Sequence, residues 1–320
     1  MSLPPIFDSL RVPVVAAPLF IISNPDLVIA ECKAGIVGSF PSLNARPIEM
    51  LDQWLTRINE ELDRYNQANP DKPAAPYAVN QIVHRSNDRL WEDVELCVKH
   101  KVPIIITSLG AREELNEMIH GYGGIVLHDI INDWFARKAI QKGADGLVAV
   151  AAGAGGHAGT LSPFALIQEI RTWFDGPLLL SGSIANGNAI LAAQAMGADL
   201  AYIGSPFIAT EEANAAAAYK QMIVDGGASD IVYSNLFTGV HGNYLKRSIE
   251  AAGLDPDDLP ISDPSKMKFG SDGTSKPKAW KEIWGSGQGI GAVKEIVPAA
   301  NRVAELGRQY DAARARMGMA

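Results

Sequence analysis

The chain has 320 residues, of which 47% are hydrophobic and 20% charged, and its formal net charge is −8. That size suits a βα barrel of about 250 residues with an insertion, and that composition excludes a largely disordered chain. The acidic balance argues against broad binding to nucleic acid or to an anionic membrane, although backbone N–H groups can still build a local phosphate site.

Residues 12–18 predict a short buried strand that stops at a proline. Asn24 and Pro25 then open a helix, as N-cap and first residue, and it closes near Gly35. Residues 36–40 form the second strand. In the next segment Ile48, Leu51, Leu55, Ile58, Leu62 and Tyr65 recur every three or four residues, which makes one apolar helical face. Residues 77–80 predict strand three, with Asn80 at its end, followed by a helix to Lys99. Strand four is 103–107, with a short helix over 113–119. Strand five is 124–128, ending at His128, and a helix over 134–142 closes at Gly143. Strand six, 147–150, runs into a loop of Gly and Ala that carries His157. Ser162 and Pro163 repeat the Asn24-Pro25 arrangement at the next helix. Strand seven is 177–181, Asn186 starts a helix stopped by Gly197, and strand eight is 200–204. An alanine-rich helix covers 211–224.

Eight buried strands alternating with helices predict a (β/α)8 TIM barrel in preference to an open doubly wound sheet. The barrel takes residues 1–224, and 286–320 return to its wall through a last helix over 293–316. Residues 225–285 break the rhythm and predict a small, mainly helical and irregular lobe near the mouth. That lobe either lids the mouth with Tyr233, Phe237, Tyr244 and Trp280 or packs as a separate small unit. The only cysteines, Cys32 and Cys97, offer neither a disulfide framework nor a zinc pattern, which points to a reducing compartment. No apolar run approaches the ~20 residues of a membrane span, and no signal peptide is evident. A cytoplasmic location away from membranes and nucleic acid is expected.

Parallel barrels carry their working groups on the loops after the strands. That places Ala17, Pro18, Leu19, Asn80, His128, His157, Ser181, Gly182, Ser183, Gly204 and Ser205 around one mouth. The loops after strands seven and eight are built of small residues, and Asn186 starts a helix whose N-terminus favours an anion. A phosphate site is expected there, with tight αβ punctuation as the plainer alternative. His157 can lose or gain a proton near neutral pH, so it is a candidate general base; the plainer alternative is a surface residue on a flexible loop. His128 is either catalytic or a cap on the barrel. His84, His100, His120 and His241 lack metal-like spacing, so no metal site is expected. The 153–157 loop lacks a dinucleotide fingerprint, and no phosphate-binding Walker motif or nucleophile elbow occurs.

Three segments resemble the nitronate monooxygenase (2-nitropropane dioxygenase) family of FMN-dependent βα barrels. They are Ala16-Ala17-Pro18-Leu19, Ala154-Gly155-Gly156-His157-Ala158-Gly159 and Ser181-Gly182-Ser183-Ile184-Ala185-Asn186-Gly187. Gly204-Ser205-Pro206-Phe207 is similar to the family's next phosphate loop, and Asn80 stands where the family has an Asn near the flavin. Residues 284–291 resemble a closing segment, which adds Gln288. The resemblance implies bound FMN, with its phosphate on the loops of Gly182 and Gly204 and its ring along Ala17 to Leu19. Asn80, His128, Gly155, Gly156, Ser181, Ser183, Ser205 and Gln288 complete the implied cofactor site. His157 is the implied base that takes the proton next to a nitro group. The implied reaction is oxidation of nitronates, and of nitroalkanes, by O2 to carbonyl compounds and nitrite, with a homodimer as the candidate assembly. Two departures leave the electron acceptor and substrate open. Val150 and Gly153 stand where many members have Gln and Glu, and His128 where some have Lys. The rival readings are an NADH-dependent FMN reductase of quinones or enoyl thioesters, a flavin-free isomerase or lyase that binds phosphate, and a flavin-binding protein without activity.

Overall fold

Eight short aliphatic runs, almost wholly buried, form an inner wall of parallel strands. They are β1 (Val14–Ala16), β2 (Gly38–Pro41), β3 (Tyr77–Ile82), β4 (Ile104–Ser108), β5 (Ile125–Ile130), β6 (Gly146–Val150), β8 (Leu178–Ser181) and β9 (Leu200–Ile203). A two-residue strand, β7 (Gly156–His157), lies outside this wall. The computed structural model describes residues 3–262 and 283–319. Around the wall the order is β1-β9-β8-β6-β5-β4-β3-β2. A parallel bridge between Val15 and Val37 nearly closes the seam, where Ser39 Oγ also donates to the Ala16 carbonyl at 2.5 Å. The result is a (β/α)8 barrel of the TIM type.

Strand alternation sorts the side chains into two layers. Val15, Ala78, Ile106, Leu127, Val148, Leu179 and Tyr202 fill the barrel. Val14, Ile130, Leu147, Ala149 and Leu180 face the helices, as do Val79, Ile105 and Val126. The helices sit where the caps and periodicity put them. In α1 (Pro25–Ala34) the Asn24 side chain accepts from the Leu27 N–H at 3.0 Å. α2 (Glu49–Ala68) buries Leu51, Leu55, Ile58 and Leu62. α3 (Leu90–Lys99), α4 (Glu113–His120), α5 (Asp133–Gln141), α6 (Pro163–Arg171) and α7 (Gly187–Ala195) follow in turn. Ser162 precedes α6 as expected but makes no side-chain cap bond. Cys32 and Cys97 are free and buried. Among the described residues no helix is long and apolar enough to cross a membrane.

Four segments after β9 differ from the sequence reading, the last of them the final helix, which begins at Ala299 instead of 293 because Pro298 precedes it. A four-residue helix, α8 (Ser205–Ile208), starts directly after Gly204. The alanine-rich helix begins only at α9 (Ala217–Asp225), because the stretch before it pairs with the chain's end. Glu211 N–H donates to the Val297 carbonyl at 3.1 Å, and Glu212 Oε2 accepts from Ala299 N–H at 2.8 Å. That tertiary pairing overrides alanine's helical preference. The described part of the 225–285 lobe is an antiparallel ribbon, β10 (Ile231–Ser234) and β11 (Gly242–Leu245), followed by α10 (Lys246–Ala251). Ile231, Val232, Tyr233 and Tyr244 are strand formers that meet across it. Trp280 lies outside the described residues.

The last helix, α11 (Ala299–Arg316), packs across α1 and α7. Its Gln309 Oε1 accepts from Gly187 N–H at 3.0 Å. A Cβ on Gly187 would lie 2.0 Å from the Tyr310 nitrogen, so a glycine lets the two helices meet.

Candidate active site

Strand parity decides which side chains enter the mouth. On β5, Leu127 faces the barrel interior while Val126 and Ile130 face the helices. Asp129 therefore points inward and His128 outward. His128 sits in the helix layer, its Nδ1 2.6 Å from Thr107 Oγ1, and burial lowers its pKa to about 4. It does not join the mouth. β5 runs two residues beyond the predicted end, and the last inward residue is Asp129.

Asn80, from β3, does point inward. Its Nδ2 donates to the Ile106 carbonyl at 3.0 Å and to Ser108 Oγ at 2.8 Å. Ser108 Oγ in turn donates to Asp129 Oδ2 at 2.5 Å. The relay ends there: Asp129 Oδ1 is buried and has no hydrogen-bond partner among the described residues. Burial raises the Asp129 pKa to about 7, with the Ser108 bond acting against that rise.

His157 is held from outside the barrel. Its residue pairs with Gly242 of β11, and Gly156 with Asn243, so the glycine loop becomes an edge strand of the lobe's ribbon. Asn243 Nδ2 donates to the Ala154 carbonyl at 2.6 Å, and the Tyr233 hydroxyl to the Ala158 carbonyl at 2.9 Å. His157 Nε2 lies 3.0 Å from Thr238 Oγ1. Thr238 has one hydroxyl proton, and the Val240 carbonyl, 2.7 Å away, can only accept it. Thr238 Oγ1 therefore accepts from His157 Nε2–H, which makes Nδ1 the basic nitrogen. Burial lowers the His157 pKa to about 4, so the ring is neutral at neutral pH. Thr238 and Asn243 belong to no motif and were missed. Asp129 could have been found from strand parity alone, had β5 been extended.

The remaining candidates gather on the other side of the mouth. Ser181 ends β8, and the turn that follows is left-handed, with φ 142° at Gly182 and 57° at Ser183. A Cβ at Gly182 would lie 2.8 Å from the Ala152 carbonyl oxygen. Ser183 N–H and Gln288 N–H both donate to the Gly153 carbonyl, at 3.3 and 2.9 Å, and Gly287 N–H donates to Ser205 Oγ at 2.9 Å. The closing segment thus ties together the loops after β6, β8 and β9. Ala17 N–H donates to the Ile203 carbonyl at 2.8 Å, and a Cβ on Gly204 would lie 3.2 Å from Leu19, so the Ala17-Pro18-Leu19 loop borders the same place. Gly155 is beside Gly287. One expectation changes here. The N-terminus of α7 is covered, since Gln309 holds Gly187 N–H and the Asn186 side chain holds Ala189 N–H at 2.9 Å. An anion in this mouth would rest on the 181–183 and 204–205 loops instead.

The sequence profile of the nitronate monooxygenase family matches residues 6–308. The chain is 25% identical over 347 residues to a nitronate monooxygenase of Paraburkholderia phytofirmans, covering 93% of this chain and 92% of that one. It is 31% identical over 188 residues to a Mycobacterium tuberculosis protein that bears the name of a monooxygenase. That match covers 58% of this chain and 49% of the relative, so the chain spans about half the relative's length. A nitroalkane oxidase of Streptomyces ansochromogenes shares the fold, with a TM-score of 0.80, 22% identity, and coverage of 98% of this chain and 100% of that one. With its own strands, loops and closing segment inside the matched span, the chain belongs to the nitronate monooxygenase family of flavin-dependent oxidoreductases.

Proposed function

We propose that the mouth binds FMN and that the protein oxidises alkyl nitronates, and nitroalkanes, with O2 to carbonyl compounds and nitrite. The observation that carries this reading is the contact of His157 Nε2 with Thr238 Oγ1, whose proton goes to the Val240 carbonyl, from which we infer that Nδ1 is basic. The residues present fit a flavin phosphate and ring. Ser181, Gly182, Ser183, Gly204 and Ser205 form a small-residue cradle tied by Gly287 and Gln288. When bound, the flavin supplies electron acceptance and reaction with oxygen.

The chain's own residues do the rest. His157 Nδ1 takes the proton from the carbon next to the nitro group. Its low pKa keeps it unprotonated at neutral pH, at some cost in base strength. Ala17, Gly155 and Gly156 present little or no side chain, so a flat ring can lie against backbone, with the apolar Leu19 side chain beside Gly204. The ribbon covers the His157 loop through Tyr233 and Asn243 and shields the proton transfer from water.

An absorbance spectrum of the purified protein, then anaerobic mixing with a nitronate and separately with NADH, tests this reading. A yellow protein bleached by nitronate and not by NADH is expected. Bleaching by NADH would move the function to a reductase, a colourless protein to a flavin-free isomerase or lyase, and inertness to both reductants to a flavin-binding protein. His157→Ala should keep the colour and lose about 10²–10⁴-fold in turnover of neutral nitroalkane, while sparing pre-formed nitronate. Unchanged nitroalkane turnover removes His157 from this role.

A further inference from the structure

Nitronates are anions, and a mouth that takes one needs either a positive charge or a donated proton. Arg46, Arg85 and Arg112 stand in the loops after β2, β3 and β4, but all three are exposed, with Arg46 over the Phe20 ring and Arg112 over the Trp91 ring. At the strand ends Ala17, Asn80, Asp129, His157, Ser181 and Gly204 bring no Lys or Arg. His157 is neutral and already directs its one N–H at Thr238. Asp129 remains. Ser108 of β4, backed by Asn80 of β3, donates to its Oδ2. On β6 it is paired beside Val148. Tyr202 of β9 faces it across the barrel, and burial keeps that phenol protonated. Since Oδ2 is engaged as an acceptor, a proton on this carboxyl sits on Oδ1, the buried oxygen without a partner.

We propose that Asp129 binds the anionic substrate as the neutral acid, donating its Oδ1–H to it, so that one proton is held at Asp129 for each anion bound. The proposal rests on the nitronate reading of the mouth. An ionised Asp129 would instead place two negative charges together in a dry site, which disfavours the complex. Burial sets the Asp129 pKa to about 7, so the proton is about half present at neutral pH. Affinity for anions should fall about tenfold per pH unit above that point, while affinity for a neutral nitroalkane should not change.

Calorimetric titration of the purified protein with nitrite, in buffers of different ionisation enthalpy from pH 5.5 to 8.5, reads both affinity and proton uptake without relying on turnover. Nitrite affinity should fall above pH ~7 with uptake approaching one proton per nitrite. Asp129→Asn should abolish both the pH dependence and the uptake. Ser108→Ala removes the bond that favours the ionised form, so it should move the midpoint to higher pH. This variant decides the matter if the first does not fold. A pH-independent affinity, an uptake that survives Asp129→Asn, an unmoved midpoint in Ser108→Ala, or no nitrite binding at any pH overturns the proposal. Proton-linked nitrite binding without nitronate turnover would sink the nitronate reading and leave Asp129 as an anion site. Turnover without the linkage would do the reverse.

Discussion

Thr238 places three groups around one hydroxyl: the Val240 carbonyl at 2.7 Å, Val240 N–H at 3.0 Å and His157 Nε2 at 3.0 Å. The carbonyl takes the single proton and the two N–H groups fill the lone pairs. Thr238→Val keeps the shape and removes the acceptor, so His157 loses the bond that selects its tautomer. Turnover of neutral nitroalkane should drop about tenfold, the scale of one hydrogen bond, with flavin content unchanged. Thr238→Ser should restore most of it. A full loss of flavin in Thr238→Val would show a structural role instead. The same residue scale predicts a pH profile. The proposed base His157 has to be unprotonated to act, and burial lowers its pKa to about 4. Activity with neutral nitroalkane should therefore be lost as pH falls through about 4, and a limb near the ordinary value of 6.5 would count against the buried base.

The ribbon β10–β11 converts a glycine loop into part of a sheet. The backbone pairings of Gly156 and His157, the Ala158 N–H bond to the His241 carbonyl and side-chain bonds with Asn243, Tyr233 and Thr238 hold residues 154–158. Asn243→Ala leaves the Ala154 carbonyl buried without its partner, a loss of about 1–3 kcal/mol. Because the Asn243 bond ends on the loop and not on a barrel strand, the loss should be local. Amide exchange at His157 and Ala158 should quicken, while the amides of β4 to β6 stay protected. Uniform quickening would mean that the ribbon holds up the whole fold. α11 works differently. It seats on the start of α7 through Gln309 and Gly187, and so closes the very helix end that looked open to an anion.

Buried ionisable groups make the stability of the whole molecule depend on pH with two opposing signs. His128 and His157 have folded pKa values of about 4 against 6.5 in a flexible chain. Between those values the unfolded chain binds more protons, so these groups lower stability as pH falls from 6.5 to 4. Asp129, raised to about 7 from 3.8, holds a proton in the folded state and lowers stability as pH rises between those values, and Glu31, raised by burial, acts in the same direction. The variant His128→Asn separates the two, since it can keep a bond near Thr107 and cannot titrate. It should flatten the acid limb, by up to about 3 kcal/mol at pH 4 relative to its value at pH 7. Urea unfolding at pH 7, 5.5 and 4.5 measures this, and an unchanged acid limb would place the proton elsewhere.

The barrel was legible in the sequence because each strand and helix declares itself locally. Apolar runs, Asn24 and Asn186 as caps, and Gly35 as a stop need only nearby residues to act. The positions of Asn80 on β3 and of His157, Gly182 and Gly204 after the ends of later strands were legible for the same reason. What only the tertiary structure decided are contacts between residues far apart in the chain. How far β5 extends, and so whether Asp129 lies within it, was set by its pairing with β6. Thr238 reaches His157 across 81 positions, and Gln309 reaches Gly187 across 122. A side chain's type says which proton it can hold. Which neighbour takes or withholds that proton depends on the packing of distant segments, and no local pattern records it.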